Sequence, residues 1–275
     1  MIKIIAFIVS LSLSLFTVSF FDVSSFGIKA LITIGFLVLY LFFCVLFFFI
    51  CAFLNTCMIK KKKKYDNYSP LFHKLYTGYV ACALSLFGVK IKKEGMEKIP
   101  KNSRFLLVQN HVSNLDPMIT NNVFSKNDMI FISKASLFDI PFFGKMIWRM
   151  GYAKLNRDNS REDAHEIMRV TKWLGDGVTS VTVYPEGKRN KDWRENKLQE
   201  FRPGCFSVAT KNHAPIVITT IQGTEHINER LLTKKHKVVL KVVDVLYYED
   251  YKDLNTTQIA DIVHKKMDEA FEYQK

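Results

Sequence analysis

Two long stretches of the chain carry no charge, Ile4 to Phe21 and Ala30 to Ile59, and the remainder alternates short β-rich runs with helical patterns. Each stretch reaches the roughly 18 to 20 residues that a helix needs to cross a hydrocarbon core of about 30 Å. The second is apolar on every helical face, Phe36 to Leu54 reading FLVLYLFFCVLFFFICAFL, as a helix surrounded by lipid requires. Ser10, Ser12, Ser14, Thr17 and Ser19 interrupt the first, which therefore reads either as a span or as a helix lying in the interface. A cleaved signal peptide is disfavoured there, because the apolar run exceeds the usual length of roughly 7 to 15 residues and no A-x-A-like site follows it.

Beyond an amphipathic stretch from Leu71 to Phe87, β-rich runs fall at Phe105 to Gln109, Met129 to Ser133, Tyr152 to Leu155, Val178 to Tyr184, Ile216 to Ile221 and Val238 to Leu246. Ser160 with Asp163 has the spacing of a capping box for a helix to about Leu174, and Thr256 opens a terminal helix with Ile259, Ile262, Val263 and Met267 on one face. Such alternation predicts an α/β domain, a mixed sheet flanked by helices, preceded by an N-terminal hydrophobic membrane hairpin. The expected division is an anchoring segment at 1–64 and an α/β domain at 65–275.

Composition narrows the class. With 48% hydrophobic and 24% charged residues in a chain of 275, neither a disordered tail nor a disulfide scaffold fits. The five cysteines include no CxxC pair, and Cys44, Cys51 and Cys57 lie in the apolar run, so neither a disulfide framework nor a zinc site is expected. Lys+Arg 39 against Asp+Glu 26 gives +13. Of that, +6 falls in residues 1–64 and +7 beyond them. Lys60 to Lys64 is an unbroken lysine run directly after the second apolar stretch, and cationic flanks stay on the cytoplasmic side. Everything after Lys60 is thus expected in the cytoplasm. A chain fixed to a membrane meets anionic lipid first, so lipid rather than nucleic acid is the expected partner of this charge.

Polar clusters close three of the β-rich runs: Asn110 to Asp116 after the first, Asn156-Arg157 after the third, and Pro185 to Asn190 after the fourth. Ligand groups in open α/β sheets collect beyond the carboxyl ends of strands. His111 and Asp116 cannot share a helix face, since five residues turn about 140° apart. Asp116 precedes Pro117, however, and a residue before proline avoids the helical region, so the pair flanks a turn. Folded back, the carboxylate can hold one imidazole nitrogen and leave the other free to take a proton from a hydroxyl. The bland alternative is a helix-capping aspartate beside an ordinary loop histidine. The fourth run ends abruptly in Pro-Glu-Gly, which puts Glu186, Lys188 and Arg189 at the same end of the domain. Arginine offers a planar fork suited to phosphate oxygens and lysine adds a point charge. A base beside such a cradle suggests a hydroxyl substrate carrying a phosphate; a solvated charged turn is the alternative.

These blocks resemble a known family. NHVSNLD at 110 to 116 and YPEGKRN at 184 to 190 look like the two signature blocks of the glycerolipid acyltransferases, the 1-acylglycerol-3-phosphate (lysophosphatidate) acyltransferase family. Ile140 to Asp158, Phe201-Arg202-Pro203-Gly204 and Ala214 to Val217 are similar to further blocks in the same order. The resemblance implies a membrane enzyme of phospholipid synthesis that moves a fatty acyl group from a thioester, acyl-CoA or acyl carrier protein, to the 2-hydroxyl of 1-acylglycerol 3-phosphate, giving phosphatidate, with no cofactor and no metal. His111 would be the general base and Asp116 its orienter. Arg157, Glu186, Gly187, Lys188 and Arg189 would surround the acceptor's glycerol phosphate. Lys188 stands where the family usually has Thr, Asn190 where it has Ser, and Ile218 where it has a second proline. Another lysolipid or glycerol phosphate as acceptor, a metal-dependent phosphoesterase using His111, Asp116 and Glu186 as ligands, and a non-catalytic lipid-binding adaptor remain as alternatives.

Overall fold

The computed structural model describes residues 2–21, 25–60, 67–156, 160–225, 227 and 236–271. It forms two compact units, Met1–Lys60 and Lys61–Lys275. The first holds α1 (Ile2–Val18) and α2 (Phe26–Cys57). Ser10, Ser14 and Thr17 lie on one face of α1 by their spacing, while Ser12 and Ser19 are exposed. Thr17 Oγ1 meets Tyr40 OH at 2.7 Å, Ser10 Oγ approaches Cys44 Sγ at 3.9 Å, and Ser14 Oγ donates to the Leu11 carbonyl at 2.8 Å. Much of the helix's apolar surface, Phe7, Ile8, Leu15 and Phe16 included, is exposed. Among the described residues α2 is the one helix long and apolar enough to cross a membrane. With 17 residues α1 spans about 26 Å, short of a full crossing if it stood upright.

The second unit runs α3 (Pro70–Leu86), β1 (Val89–Glu94), β2 (Leu106–Gln109), α4 (Asp116–Val123), β3 (Met129–Lys134), α5 (Phe143–Met150), β4 (Ala153–Leu155) and α6 (Ser160–Gly175). It continues with β5 (Ser180–Val183), α7 (Ser207–Thr210), β6 (Ile216–Gln222), β7 (His236–Leu246), α8 (Tyr248–Tyr251) and α9 (Thr256–Ala270). The seven strands form one mixed sheet in the order β1-β7-β6-β2-β5-β3-β4. β6 and β7 pair antiparallel and every other pair is parallel.

Burial follows from this order. β2, β5 and nearly all of β6 are buried on both faces, the signature of parallel strands covered by helices on two sides, and their sequences LLVQ, SVTV and IVITTIQ read as continuous rather than alternating runs. The β2-α4-β3 and β4-α6-β5 crossovers move in opposite directions along the sheet. Right-handed connection therefore puts α4 and α6 on opposite faces.

One strand differs from the expectation, and the Ser160 side chain expected to cap α6 lies outside the described residues. β1 went unrecognised because VKIKKE has too few apolar positions to show a strand period. It is an edge strand, where exposed lysines block unwanted pairing. Asp163 Oδ1 accepts from the Asn156 N–H at 2.7 Å, tying α6 back to the end of β4. Capping boxes open α8, at Tyr247 and Asp250, and α9, where the Asn255 and Gln258 side chains exchange hydrogen bonds with each other's backbone N–H at 2.9 Å.

Candidate active site

The chain leaves β2 toward β3 on one side and leaves β5 toward β6 on the other, so the crevice beyond the carboxyl ends of these adjacent strands is the switch point of the sheet. Residues 110–116 and 184–190 occupy it. Asn110 is drawn into the ladder. Its amide donates to the Ile221 carbonyl at 3.0 Å and its Oδ1 accepts from the Ile221 N–H at 2.8 Å, which fixes where the loop departs from β2.

His111 is then held at its backbone by the neighbouring turn. Its N–H donates to Glu186 Oε1 at 2.9 Å and its carbonyl accepts from the Asn190 N–H at 2.7 Å. The imidazole lies flat on the Tyr184 ring, with centroids 4.2 Å apart and planes 20° apart. Burial pushes the Tyr184 phenol well above its ordinary value, and the charge of Asp116 adds to the shift, so the ring beneath His111 stays neutral.

Asp116 opens α4 and is fully buried. An isolated carboxylate there would be very costly, and four donors offset the cost. Oδ2 accepts from His111 Nδ1 at 2.9 Å and from the N–H groups of Val112 and Ser113 at 2.8 and 2.7 Å; Oδ1 accepts from Thr224 Oγ1 at 2.6 Å. An ionised carboxylate only accepts, so Nδ1 carries the imidazole proton and Nε2 keeps its lone pair. Nε2 makes no hydrogen bond among the described residues. The arrangement can take a proton at Nε2 while Asp116 stabilises the cation that forms.

The rest of the candidate set divides. Lys188 and Arg189 are exposed beside this loop and form no ion pair among the described residues. Glu186 turns inward, its Oε1 on the His111 N–H and its Oε2 accepting from the Gln199 N–H at 3.1 Å. Both of its oxygens serve backbone amides, so Glu186 positions the loop that carries His111. Its carboxyl is pushed up to about 7 from an ordinary 4.5, chiefly by burial, against the lowering effect of those two amides. Gly187 has φ +71, a conformation that favours glycine. Arg157 lies outside the described residues. Among the described residues no three His, Cys, Asp or Glu side chains gather to hold a metal ion.

Thr224 was not foreseen. It follows β6 at a separation of 108 residues from its partner, and no local pattern links the two. Gly223 allows the approach: with φ +84, any Cβ there would sit 2.2 Å from the Lys237 carbonyl oxygen. A buried polar residue just past the carboxyl end of a central strand was the one available signal.

Comparison with known proteins identifies the family. The profile of a family described as Acyltransferase matches residues 90–222. The chain is 30% identical over 195 residues to the 1-acyl-sn-glycerol-3-phosphate acyltransferase of Borreliella burgdorferi, covering 69% of this chain and 76% of that protein. It is 28% identical over 184 residues to the Haemophilus influenzae protein of the same name, covering 66% and 75%. The crystal structure of the 1-acyl-sn-glycerophosphate acyltransferase PlsC from Thermotoga maritima shares the fold, with a TM-score of 0.57 at 21% identity over 74% of this chain and 81% of that one. The Borreliella burgdorferi relative, with the profile beside it, makes the chain an acyltransferase. The chain belongs to the 1-acyl-sn-glycerol-3-phosphate acyltransferase family.

Two outcomes follow for stability, read as the melting midpoint of the full chain in detergent. Thr224→Val strips a donor from a buried carboxylate at a cost of about 1 to 3 kcal/mol, lowering the midpoint by roughly 2 to 10 °C, while Thr224→Ser stays within about 2 °C of wild type. An unchanged midpoint for the valine variant contradicts the assignment. Because the folded value of Glu186 lies above its unfolded one, the folded state holds more protons between about pH 4.5 and 7, and stability falls as pH rises through that window. The midpoint of wild type relative to Glu186→Gln should therefore drop between those values; a difference that is flat with pH contradicts the shift.

Proposed function

We propose that the protein transfers a fatty acyl group from an acyl thioester, acyl-CoA or acyl carrier protein, to the 2-hydroxyl of 1-acylglycerol 3-phosphate, forming phosphatidate. His111 Nε2 removes the hydroxyl proton as the oxygen attacks the thioester carbonyl. That attack forms the new C–O bond and a tetrahedral intermediate, whose collapse restores the carbonyl and breaks the C–S bond, and the departing thiolate takes its proton from the imidazolium. Asp116 holds Nδ1–H throughout. Lys188 and Arg189, with Arg157, receive the acceptor's phosphate beside the turn at Gly187. Residues 1–64 anchor the chain and 65–275 carry the chemistry on the cytoplasmic face, a reading supported by the lysine run after α2.

The observation that carries the reaction is the 2.9 Å contact of His111 Nδ1 with a fully buried Asp116. It also weighs against the phosphoesterase alternative, because four hydrogen bonds fill the carboxylate that a metal would need. The printed names of the relatives supply the acceptor, and the cationic turn beside the base suits its phosphate.

Membranes holding the full chain should acylate 1-acylglycerol 3-phosphate faster than glycerol 3-phosphate or other lysolipids, assayed with both donors. His111→Ala lowers kcat/KM by about a hundredfold or more, as loss of a general base does. Asp116→Asn lowers it by at least a comparable factor, since an amide can hold the wrong tautomer. Activity that survives either change refutes the roles given to these residues, and transfer to a different acceptor alone refutes the substrate.

A further inference from the structure

We propose that Arg202 is a further ligand for the acceptor's phosphate and sets the preference for a phosphorylated acceptor. The inference rests on the reaction proposed above and adds a residue to it. The Arg202 N–H donates to the Pro185 carbonyl at 2.9 Å, which places residue 202 alongside the Pro-Glu-Gly turn. Glu186 Oε2 holds the same segment at Gln199. Phe201 before it is buried with its ring 4.7 Å from that of His264, and Pro203 after it starts a 3-10 turn that buries Phe206. The backbone at 202 is therefore fixed from both sides.

The side chain crosses the turn. A Cβ added at Gly187 would lie 2.7 Å from Arg202 Nε and 2.9 Å from its Cδ and Cζ, so the guanidinium is laid directly over the glycine that precedes Lys188 and Arg189. Arg202 is exposed, and its guanidinium has neither a hydrogen bond nor an ion pair among the described residues. An arginine held against the protein with its donors uncommitted, next to two more free cations and one turn from His111, offers a planar fork to a dianion. The plain alternative is that its stem merely covers Gly187.

Arg202→Met keeps an apolar stem over Gly187 and removes the fork; Arg202→Lys keeps a charge without the fork. With full-length protein in detergent, Arg202→Met should raise KM for 1-acylglycerol 3-phosphate about ten- to hundredfold, the range of a lost charged hydrogen bond, and lower kcat by far less. Its kcat/KM ratio for 1-acylglycerol 3-phosphate over uncharged 1-acylglycerol should fall by a similar factor, with Arg202→Lys intermediate. Glycerol 3-phosphate should raise the melting midpoint of wild type and not that of Arg202→Met. Unchanged KM and unchanged protection overturn the proposal, as does a lower midpoint without ligand combined with unaltered acceptor preference, which marks a covering role alone. If wild type fails to acylate 1-acylglycerol 3-phosphate, the proposed reaction is wrong. The protection by glycerol 3-phosphate then still decides whether Arg202 binds the anion.

Discussion

A carboxylate with no access to water governs this site. Asp116 is fully buried, and burying it without partners would cost more than a domain of this size has to spare. Its four donors come from the imidazole of His111, the amides of Val112 and Ser113, and the hydroxyl of Thr224. Satisfying the charge therefore curls the loop after β2, fixes the imidazole tautomer and ties that loop to the chain after β6. One electrostatic requirement thus sets three pieces of geometry together. Pro117 fits the first turn of α4, and Asp116, expected from its place before the proline to lie outside the helix, is instead its first residue, so the turn that folds the carboxylate back onto His111 ends before it.

A second carboxylate, Glu186, sits on the other side of His111 and does a different job. It faces two backbone amides, with no positive side chain on it among the contacts of its two oxygens. Burial therefore outweighs those two amides and leaves its carboxyl raised to about 7. The contrast between the two acids lies in their partners: Asp116 acts on a ring that can move a proton, while Glu186 fastens the backbone beneath that ring. Tyr184 completes the support by stacking on the imidazole at 4.2 Å.

Much of this was legible in the chain, for identifiable reasons. The central strands stood out because parallel strands buried on two faces read as unbroken apolar runs, and His111 with Asp116 stood out because a proline marks where the turn must end. β1 did not, since an edge strand of alternating lysines looks like solvated loop. Thr224 did not either, because its role exists only once β6 lies beside β2. The inward turn of Glu186 was hidden for the same reason: its neighbours in sequence are Gly187, Lys188 and Arg189, whereas its partners are the amides of His111 and Gln199. Sequence placed the charges at one end of the sheet, and tertiary contact decided which of them turn inward.

The central claim is that His111 and Asp116 act as one unit, and a double-mutant cycle on kcat/KM for acyl transfer tests it most directly. If the carboxylate works only through the imidazole, adding Asp116→Asn to His111→Ala changes the residual rate by less than about threefold, however large its effect in the wild-type background. Losses that multiply, so that the double variant is slower by the product of the two single effects, would show two independent contributions and contradict the account.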